Sequence, residues 1–417
     1  MVGTGIFTSL GFQVGDLPSG FTILFLWLVG GICAFCGAVS YAELAAALPR
    51  SGGEYHFLSR IYHPSIGFLS GWLSATVGFA APIALAAMAF AKYFAGFFPG
   101  ASPLLLSTAI VTLATLVHLH SVIFGGRFQN VATAFKLLLI FVFIGAGLFA
   151  SAHVEPLSFL PKAGDGALIS SGPFAVSLVY VMYAYSGWNA STYIVGEVRD
   201  PSRNVPLSVA LGTGLVAVLY LALNAVFLHV APLGALKGQL DVGHVAARYI
   251  FGDSGGHIMA GLICIGLVSS ISAMTWIGPR VTMAMGEDCH ALRFLAWKNP
   301  QGVPSRAIVV QLVIVIALLL TASFDKVLTY VQFSLTLCSF LTVLGVMILR
   351  QTQPQLPRPY RTWGYPVTPV LFLVISGWML AHILRSNPLE SLAGLATLLL
   401  GFIVYFISPA RPQPVAA

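Results

Sequence analysis

The chain has 417 residues, 58% of them hydrophobic and 8% charged, with a formal net charge of +7. A soluble domain carries about 25% charged residues because its surface faces water, so a water-exposed globule is excluded. Lipid is the remaining solvent, and there only helices or closed barrels pair every backbone group. Barrel strands alternate polar and apolar residues, whereas the apolar runs here are continuous.

Apolar runs near the ~20 residues needed to cross a hydrocarbon core recur along the chain. In order, the predicted spans are 20–48, 66–95, 103–121, 129–152, 173–198, 206–233, 256–286, 306–323, 326–350, 366–384 and 391–408. Residues 1–14 form an apolar fragment too short to span, opening on Gly3-Thr4-Gly5. It has neither the basic start nor the cleavage site of a signal peptide. Residues 49–65, with Pro49-Arg50-Ser51-Gly52-Gly53-Glu54-Tyr55, read as a turn-rich loop. Residues 234–255 are amphipathic enough for a short helix outside the membrane.

In this layout thirteen Lys and Arg collect on one side, Arg50, Arg203, Arg350 and Arg411 among them, against six on the other, such as Lys92 and Lys237. That excess marks the cytoplasmic side, and it explains the positive charge better than a nucleic-acid surface. Only Lys136 belongs to neither side, because it lies well inside a span. Cys33 and Cys36 form a C-x-x-C, a spacing that also serves redox or zinc chemistry. No second pair completes a site, so all five cysteines read as small packing residues. His118 and His120, two apart on a helix, point in different directions and make a poor metal site.

Two segments stand out as breaks within helices. Transporters place substrate at the midplane where two helices in corresponding halves are interrupted. The first candidate is Met1-Val2-Gly3-Thr4-Gly5-Ile6-Phe7, whose glycines permit conformations barred to other residues. Free N–H groups at the start of the following half-helix suit a carboxylate. The second is Tyr183-Ala184-Tyr185-Ser186-Gly187-Trp188-Asn189. Unwinding at Ser186-Gly187 would free the carbonyls of Tyr183, Ala184 and Tyr185 for an ammonium. Together the breaks match a zwitterionic α-amino acid. The competing expectation is that these glycines are close-packing surfaces between helices.

Val2-Gly3-Thr4-Gly5-Ile6-Phe7 resembles the G-[ST]-G-I-F signature of the amino acid–polyamine–organocation superfamily, within it the L-type amino acid transporter branch. Tyr41-Ala42-Glu43-Leu44 followed by Pro49 to Tyr55 is similar to that family's helix 2 and first inner loop. The stretch from Tyr183 through Glu197 to Arg203-Asn204-Val205-Pro206 resembles its helix 6 and the continuation. Arg358-Pro359-Tyr360-Arg361 with Gly364-Tyr365-Pro366 is similar to the linker before its helix 11.

The resemblance implies an all-α membrane protein of the LeuT-type 5+5 inverted repeat, with two discontinuous helices and about 12 transmembrane segments. One transporter domain, 1–417, would hold a first repeat in 1–152, a second in 173–350 and two additional helices in 366–408. The family's half-helix before the signature, which helps close the inner gate, is missing here. The expectation is a first helix truncated at its N-terminus, with the sequence beginning at an internal methionine. By resemblance, Gly3, Thr4, Gly5 and Ile6 line the carboxylate side. Tyr183, Ala184, Ser186 and Gly187 line the amine side, with Tyr183 as an aromatic lid, and Trp188 and Asn189 flank the break.

An ionisable group at the depth of Lys136 is costly and usually functional, although a lysine also snorkels to the interface. The family has a lysine at this helix 5 position, where its ammonium resembles a substitute for bound sodium between helices 1, 5 and 8. Ser269, Ser270 and Ser272 are its expected partners, with Lys136, Ser269 and Ser272 as the coupling set. Glu43, Glu197 and Arg280, near inner helix ends, are either gate residues or ordinary interfacial charges. Gln332 either faces the pathway or bonds a neighbouring helix. Trp276 either lines the pocket or packs, and Pro82 is expected to kink its helix beside the site.

The leading expectation is a secondary active transporter, a multi-pass protein of the cytoplasmic membrane, with a bacterial inner membrane favoured. It would move amino acids, neutral ones because the pocket motifs carry no charge, by sodium-independent proton symport or exchange. Its partners would be the small-molecule amino acid, membrane lipid and protons, with no nucleic acid, cofactor or metal. A polyamine or organic-cation carrier would want mid-span carboxylates that are not found. An enzyme would want a catalytic constellation, and no Ser/His/Asp cluster or H-E-x-x-H stands in the spans. A non-transporting sensor would want a soluble signalling domain.

Overall fold

The computed structural model describes residues 1–97, 100–120, 122–149, 151, 154–155, 159–290, 292–321 and 323–407, with side chains of 122–128 and Glu197 left aside. Arg411 and the closing residues of the spans predicted at 103–121, 129–152 and 391–408 lie outside the described residues. Among the described residues the elements are all helical.

Helix α1 (Thr4–Gln13) is a short buried segment, followed by α2 (Gly20–Ala47). Ser19 caps α2 by accepting from the Thr22 amide at 3.3 Å, satisfying one of the donors that every helix start leaves over. The segment predicted as loop 49–65 is instead largely helical: α3 (Glu54–Ile61) and the start of α4 (Pro64–Leu73) fill it. Gly52 and Gly53, at φ 123° and 54°, supply the turn. They leave Glu54 in the first turn of α3, where an acidic side chain complements the helix dipole.

The span predicted at 66–95 is one membrane-length unit, Pro64–Phe94, made of α4, a π-helical turn (Ser74–Gly78) and α5 (Ala80–Phe94). Such bulges add one residue per turn and often mark functional sites; Pro82 lies in the first turn of α5, just beyond it. Next come α6 (Pro103–His120), α7 (Val122–Phe149), α8 (Asp165–Ile169) and α9 (Gly172–Tyr185). The predicted span 173–198 is therefore interrupted, with α9 stopping at Tyr185 and a 3-10 turn (Ala190–Glu197) continuing it.

Helix α10 (Pro201–Val230) starts before the predicted 206. Pro201 occupies a first-turn position where its missing N–H costs nothing, and Pro206 is carried inside the helix. Helix α11 (Leu233–Leu236) precedes α12 (Val242–Asp288). Gly252 bends α12 at φ 71°, ψ −178°, a conformation open essentially to glycine alone. The bend separates the expected external helix from the membrane span. The remaining helices are α13 (Ser305–Thr321), α14 (Phe324–Thr352), α15 (Val367–Ser386) and α16 (Pro388–Ile407).

Nine helical units among the described residues are long and apolar enough to cross a membrane, and α13 is a shorter apolar helix. The molecule is a multi-pass membrane protein. Helix α2 packs on α10 and α12 on α5, while α1 lies between α9 and α12. The outward faces of α6, α7 and α16 carry exposed Leu113, Leu116, Phe141, Leu399 and Phe406, as lipid-facing helices do. The five cysteines are free and buried.

Candidate functional site

The two segments singled out in the sequence meet. Helix α1 begins at Thr4, and Gly3 before it offers no side-chain cap. The first-turn amides, which no helical carbonyl can reach, are therefore not occupied by a capping side chain. Helix α9 ends because Ser186 swings to ψ 154° and Gly187 adopts φ 89°, a left-handed value natural to glycine. The carbonyls of the last turn point past that end. Tyr183 O accepts from the Ser186 amide at 3.0 Å, and Ala184 O from the Tyr220 hydroxyl at 3.2 Å. Each oxygen has two lone pairs, so a further donor can still be accepted.

The ends touch at Gly5. A Cβ added there would lie 2.4 Å from Ala184 Cα and 2.7 Å from its Cβ, so the helices approach to backbone distance. The packing role that competed with a binding role therefore exists, at the same residue. Beside this contact, Gly3, Thr4 and Gly5 face Tyr183, Ala184 and Ser186 across a cavity of about 40 Å³ closed by Ser270 and Met274. A second cavity of about 80 Å³ lies under the α9 break, against Ser186, Gly187, Trp188, Asn189 and Gln332. Pro82, Ser186 and Met274 border both, so Pro82 sits beside the site as expected.

Ile6 departs from expectation. It is fully buried in the apolar core and borders neither cavity. An α-helix turns about 100° per residue, and the step past Gly5 carries Ile6 to the packed side. Trp276 likewise borders neither cavity; its ring supports the Arg280 guanidinium at 4.3 Å. Trp188 borders the larger cavity and packs edge-on to Tyr41 at 4.7 Å.

The Lys136 ammonium donates to Val2 O at 3.1 Å and to Ser270 Oγ at 3.0 Å. It is buried and ties α7 to the head of α1 and to α12, within reach of the site. Of the three serines, Ser270 meets the ammonium. Ser269 turns to Gln129 at 3.4 Å and Ser272 to His118 at 2.8 Å, because neighbouring helical positions diverge by about 100°.

Of the three inner charges, Glu43 has its partners among the described residues. Glu43 is buried and accepts from Arg350 Nε at 2.8 Å and Nη2 at 2.6 Å, with Arg358 at 3.5 Å. Thr362 adds its amide at 2.7 Å and hydroxyl at 2.6 Å. Arg280 lies over the Trp276 ring, and the Glu197 side chain lies outside the described residues. Arg50 bonds Asp288 at 3.0 Å, beside the Tyr55 hydroxyl at 2.7 Å. These contacts link α2, α14 and the loop before α15, and α3 to the end of α12.

Glu54, passed over within the supposed loop, is the side chain that sequence reasoning missed. It is 2% exposed and borders the larger cavity. Tyr41 and Tyr193 donate to its carboxylate at 2.6 Å each, Asn189 at 3.2 Å and Ser339 at 3.4 Å. It thus binds α2, α14 and both sides of the α9 break's continuation to α3. Burial pushes its carboxyl above the usual range, against those donors, which pull it down. The available signal was an acidic residue directly after Gly-Gly, the pattern of a helix start.

Residues 1–411 match the amino acid permease family. The mouse b(0,+)-type amino acid transporter 1 is 28% identical over 416 residues, covering 98% of this chain and 84% of its own length. The human large neutral amino acids transporter small subunit 2 is 29% identical over 420 residues, covering 98% and 77%. The chain belongs to the amino acid permease family, and is a membrane transporter of amino acids and not an enzyme.

Proposed function

We propose that this permease is a secondary active transporter that holds a neutral α-amino acid between its two helix breaks. It moves the substrate across the cytoplasmic membrane, a bacterial inner membrane, without sodium, by proton symport or exchange. The observation that carries the reading is the meeting of an uncapped helix start at Thr4 with a helix end at Tyr185 beside one cavity. The start offers partial positive charge to a carboxylate and the end partial negative charge to an ammonium. Gly3, Thr4 and Gly5 serve the first; Tyr183, Ala184, Ser186 and Gly187 serve the second, with Trp188 and Asn189 behind.

The architecture in this reading is the 5+5 inverted repeat, with 1–152 and 173–350 as its halves, 366–408 appended and about 12 segments in all. The Lys136 ammonium, bonded to Val2 O and Ser270 Oγ, stands as a fixed cation where α1, α7 and α12 meet. A cation built into the protein at that place leaves no task for sodium and offers a group able to hold or release a proton. Glu43 with Arg350 then forms part of the inner closure.

The test is uptake into proteoliposomes of a labelled amino acid panel, with sodium and proton gradients imposed separately. Uptake of neutral amino acids indifferent to sodium is expected. Accumulation driven by a sodium gradient alone would sink the coupling scheme, and inhibition by putrescine with no effect of any amino acid would sink the substrate class.

A further inference from the structure

At the end of the molecule that carries the Lys and Arg excess, a groove of about 380 Å³ opens between the foot of α10 and the linker before α15. Arg203, Pro206 and Leu207 form one wall, and Tyr360 and Trp363 the other. The groove shares no lining residue with the two cavities at the helix ends.

Its surface passes from charge to hydrocarbon. Trp363 and Leu207 are largely exposed, and the ridge of α10 continues away from the groove as exposed Leu211 and Leu215. Helix α2 packs on both α10 and α15, and Leu28, Ile32, Val39 and Glu43 follow one another along it at helical spacing. Leu28 and Ile32 are open to lipid. Thr362 of the linker bonds the Val39 carbonyl and the Glu43 carboxylate, so the linker roofs the inner end of that face. An alkyl chain entering beside the roof has an apolar bed along α10.

The mouth is basic. No carboxylate lines the groove. Arg203 borders it and Arg361 follows Tyr360 in the chain; both are exposed, and among the described residues neither guanidinium has an ion pair or hydrogen-bond partner. Other arginines at this end are engaged, Arg50 with Asp288 and Arg350 with Glu43. Trp and Tyr rings settle at headgroup depth, and basic pockets on the cytoplasmic side recruit anionic headgroups. A free anion would match the arginines alone, and a zwitterionic lipid the apolar wall alone.

We propose that this groove binds one anionic glycerophospholipid of the inner leaflet, with its phosphate at Arg203 and Arg361 and an acyl chain along Leu207 and Leu211. The site is independent of how the substrate is held. Its occupant braces the linker on either side of Thr362, whose amide and hydroxyl reach Glu43 at 2.7 Å and 2.6 Å. The lipid thereby supports the arrangement in which Glu43 pairs with Arg350.

Native mass spectrometry of the full chain, released from detergent containing equal amounts of phosphatidylglycerol and phosphatidylcholine of the same chain length, tests this. The wild-type protein is expected to retain one phosphatidylglycerol in about twentyfold preference, because each arginine near the surface contributes about fivefold. Arg203→Gln with Arg361→Gln should bring the preference to about one. Leu207→Trp fills the groove while keeping the charge, and should lower retention of both lipids. Arg60→Gln with Arg306→Gln removes the same charge at this end from residues that do not line the groove, and should leave the preference intact. Equal retention of the two lipids, a preference unchanged in the Arg203 and Arg361 variant, or an equal loss in the Arg60 and Arg306 variant overturns the site. So does retention of inorganic phosphate in place of lipid, or a dimer that leaves no lipid bound.

Discussion

Adding one methyl group at Gly5 is the sharpest available perturbation of the site. The Cβ would stand 2.4 Å from Ala184 Cα, where ordinary contact begins at 3.4 Å, so the two broken helices must part by 1.0 Å. The obstacle is backbone, which cannot rotate aside. Overpacking of this kind costs about 1–3 kcal/mol, and a displacement of about 1 Å at a preorganised site can cost about 100-fold. Gly5→Ala is therefore expected to weaken amino acid binding by about two orders of magnitude and to lower thermal stability.

Two controls separate site from packing. In Gly3→Ala the nearest atom is Ser270 Oγ at 3.3 Å, a side chain that can turn, so a loss of about tenfold or less is expected. In Gly11→Ala the Cβ would fall 2.0 Å from Gln239 O, far from the cavity. That variant should be the less stable protein yet keep its substrate ranking. Equilibrium binding of a labelled amino acid to detergent-purified protein, alongside thermal denaturation, reads all three. Gly5→Ala binding as tightly as the unaltered protein would refute the claim that the two helix ends jointly hold the substrate.

Further outcomes follow from the charged groups. Lys136→Met removes the ammonium from Val2 O and Ser270 Oγ; hydrogen bonds to a charge are worth about 1.5–3 kcal/mol, and transport should be abolished while the midpoint of thermal unfolding drops. Glu43→Gln leaves Arg350 without its paired carboxylate, and breaking a buried pair costs about 3–5 kcal/mol, so strong thermal destabilisation is expected. An unchanged melting curve would show that the pair is dispensable. His56 is held neutral down to about 4 by burial, with Arg50 and Arg60 adding to the effect. Its folded value lies below its unfolded one of about 6.5, so the unfolded chain binds the extra proton and stability falls as pH drops from about 6.5 to 4. His56→Asn should flatten that part of the profile.

Much of the fold was legible because lipid imposes long apolar runs, and the helix start at Gly3-Thr4-Gly5 and the helix end at Ser186-Gly187 were legible because glycines mark them. Depth within a span, with the family's lysine at that position, marked Lys136. What escaped was orientation. Helices that are apolar all round give no stripe from which to tell an inward face, so nothing distinguished Ser270 from Ser269 and Ser272, or showed Ile6 turned to the core. The loop reading of 49–65 took Gly52 and Gly53 as the end of structure, when they are the turn that starts α3 and delivers Glu54 to the cavity. Glu43 had Arg350 and Arg358 as partners some three hundred residues away, a pairing that no local spacing announces.

The most direct measurement compares equilibrium binding of one amino acid with that of its decarboxylated amine and its deaminated acid. If the α1 amides hold the carboxylate and the α9 carbonyls hold the ammonium, each single-charge analogue loses one anchor and should bind at least tenfold more weakly than the intact zwitterion. An amine that binds as tightly as the amino acid itself would contradict the account, because the uncapped start of α1 would then be holding nothing.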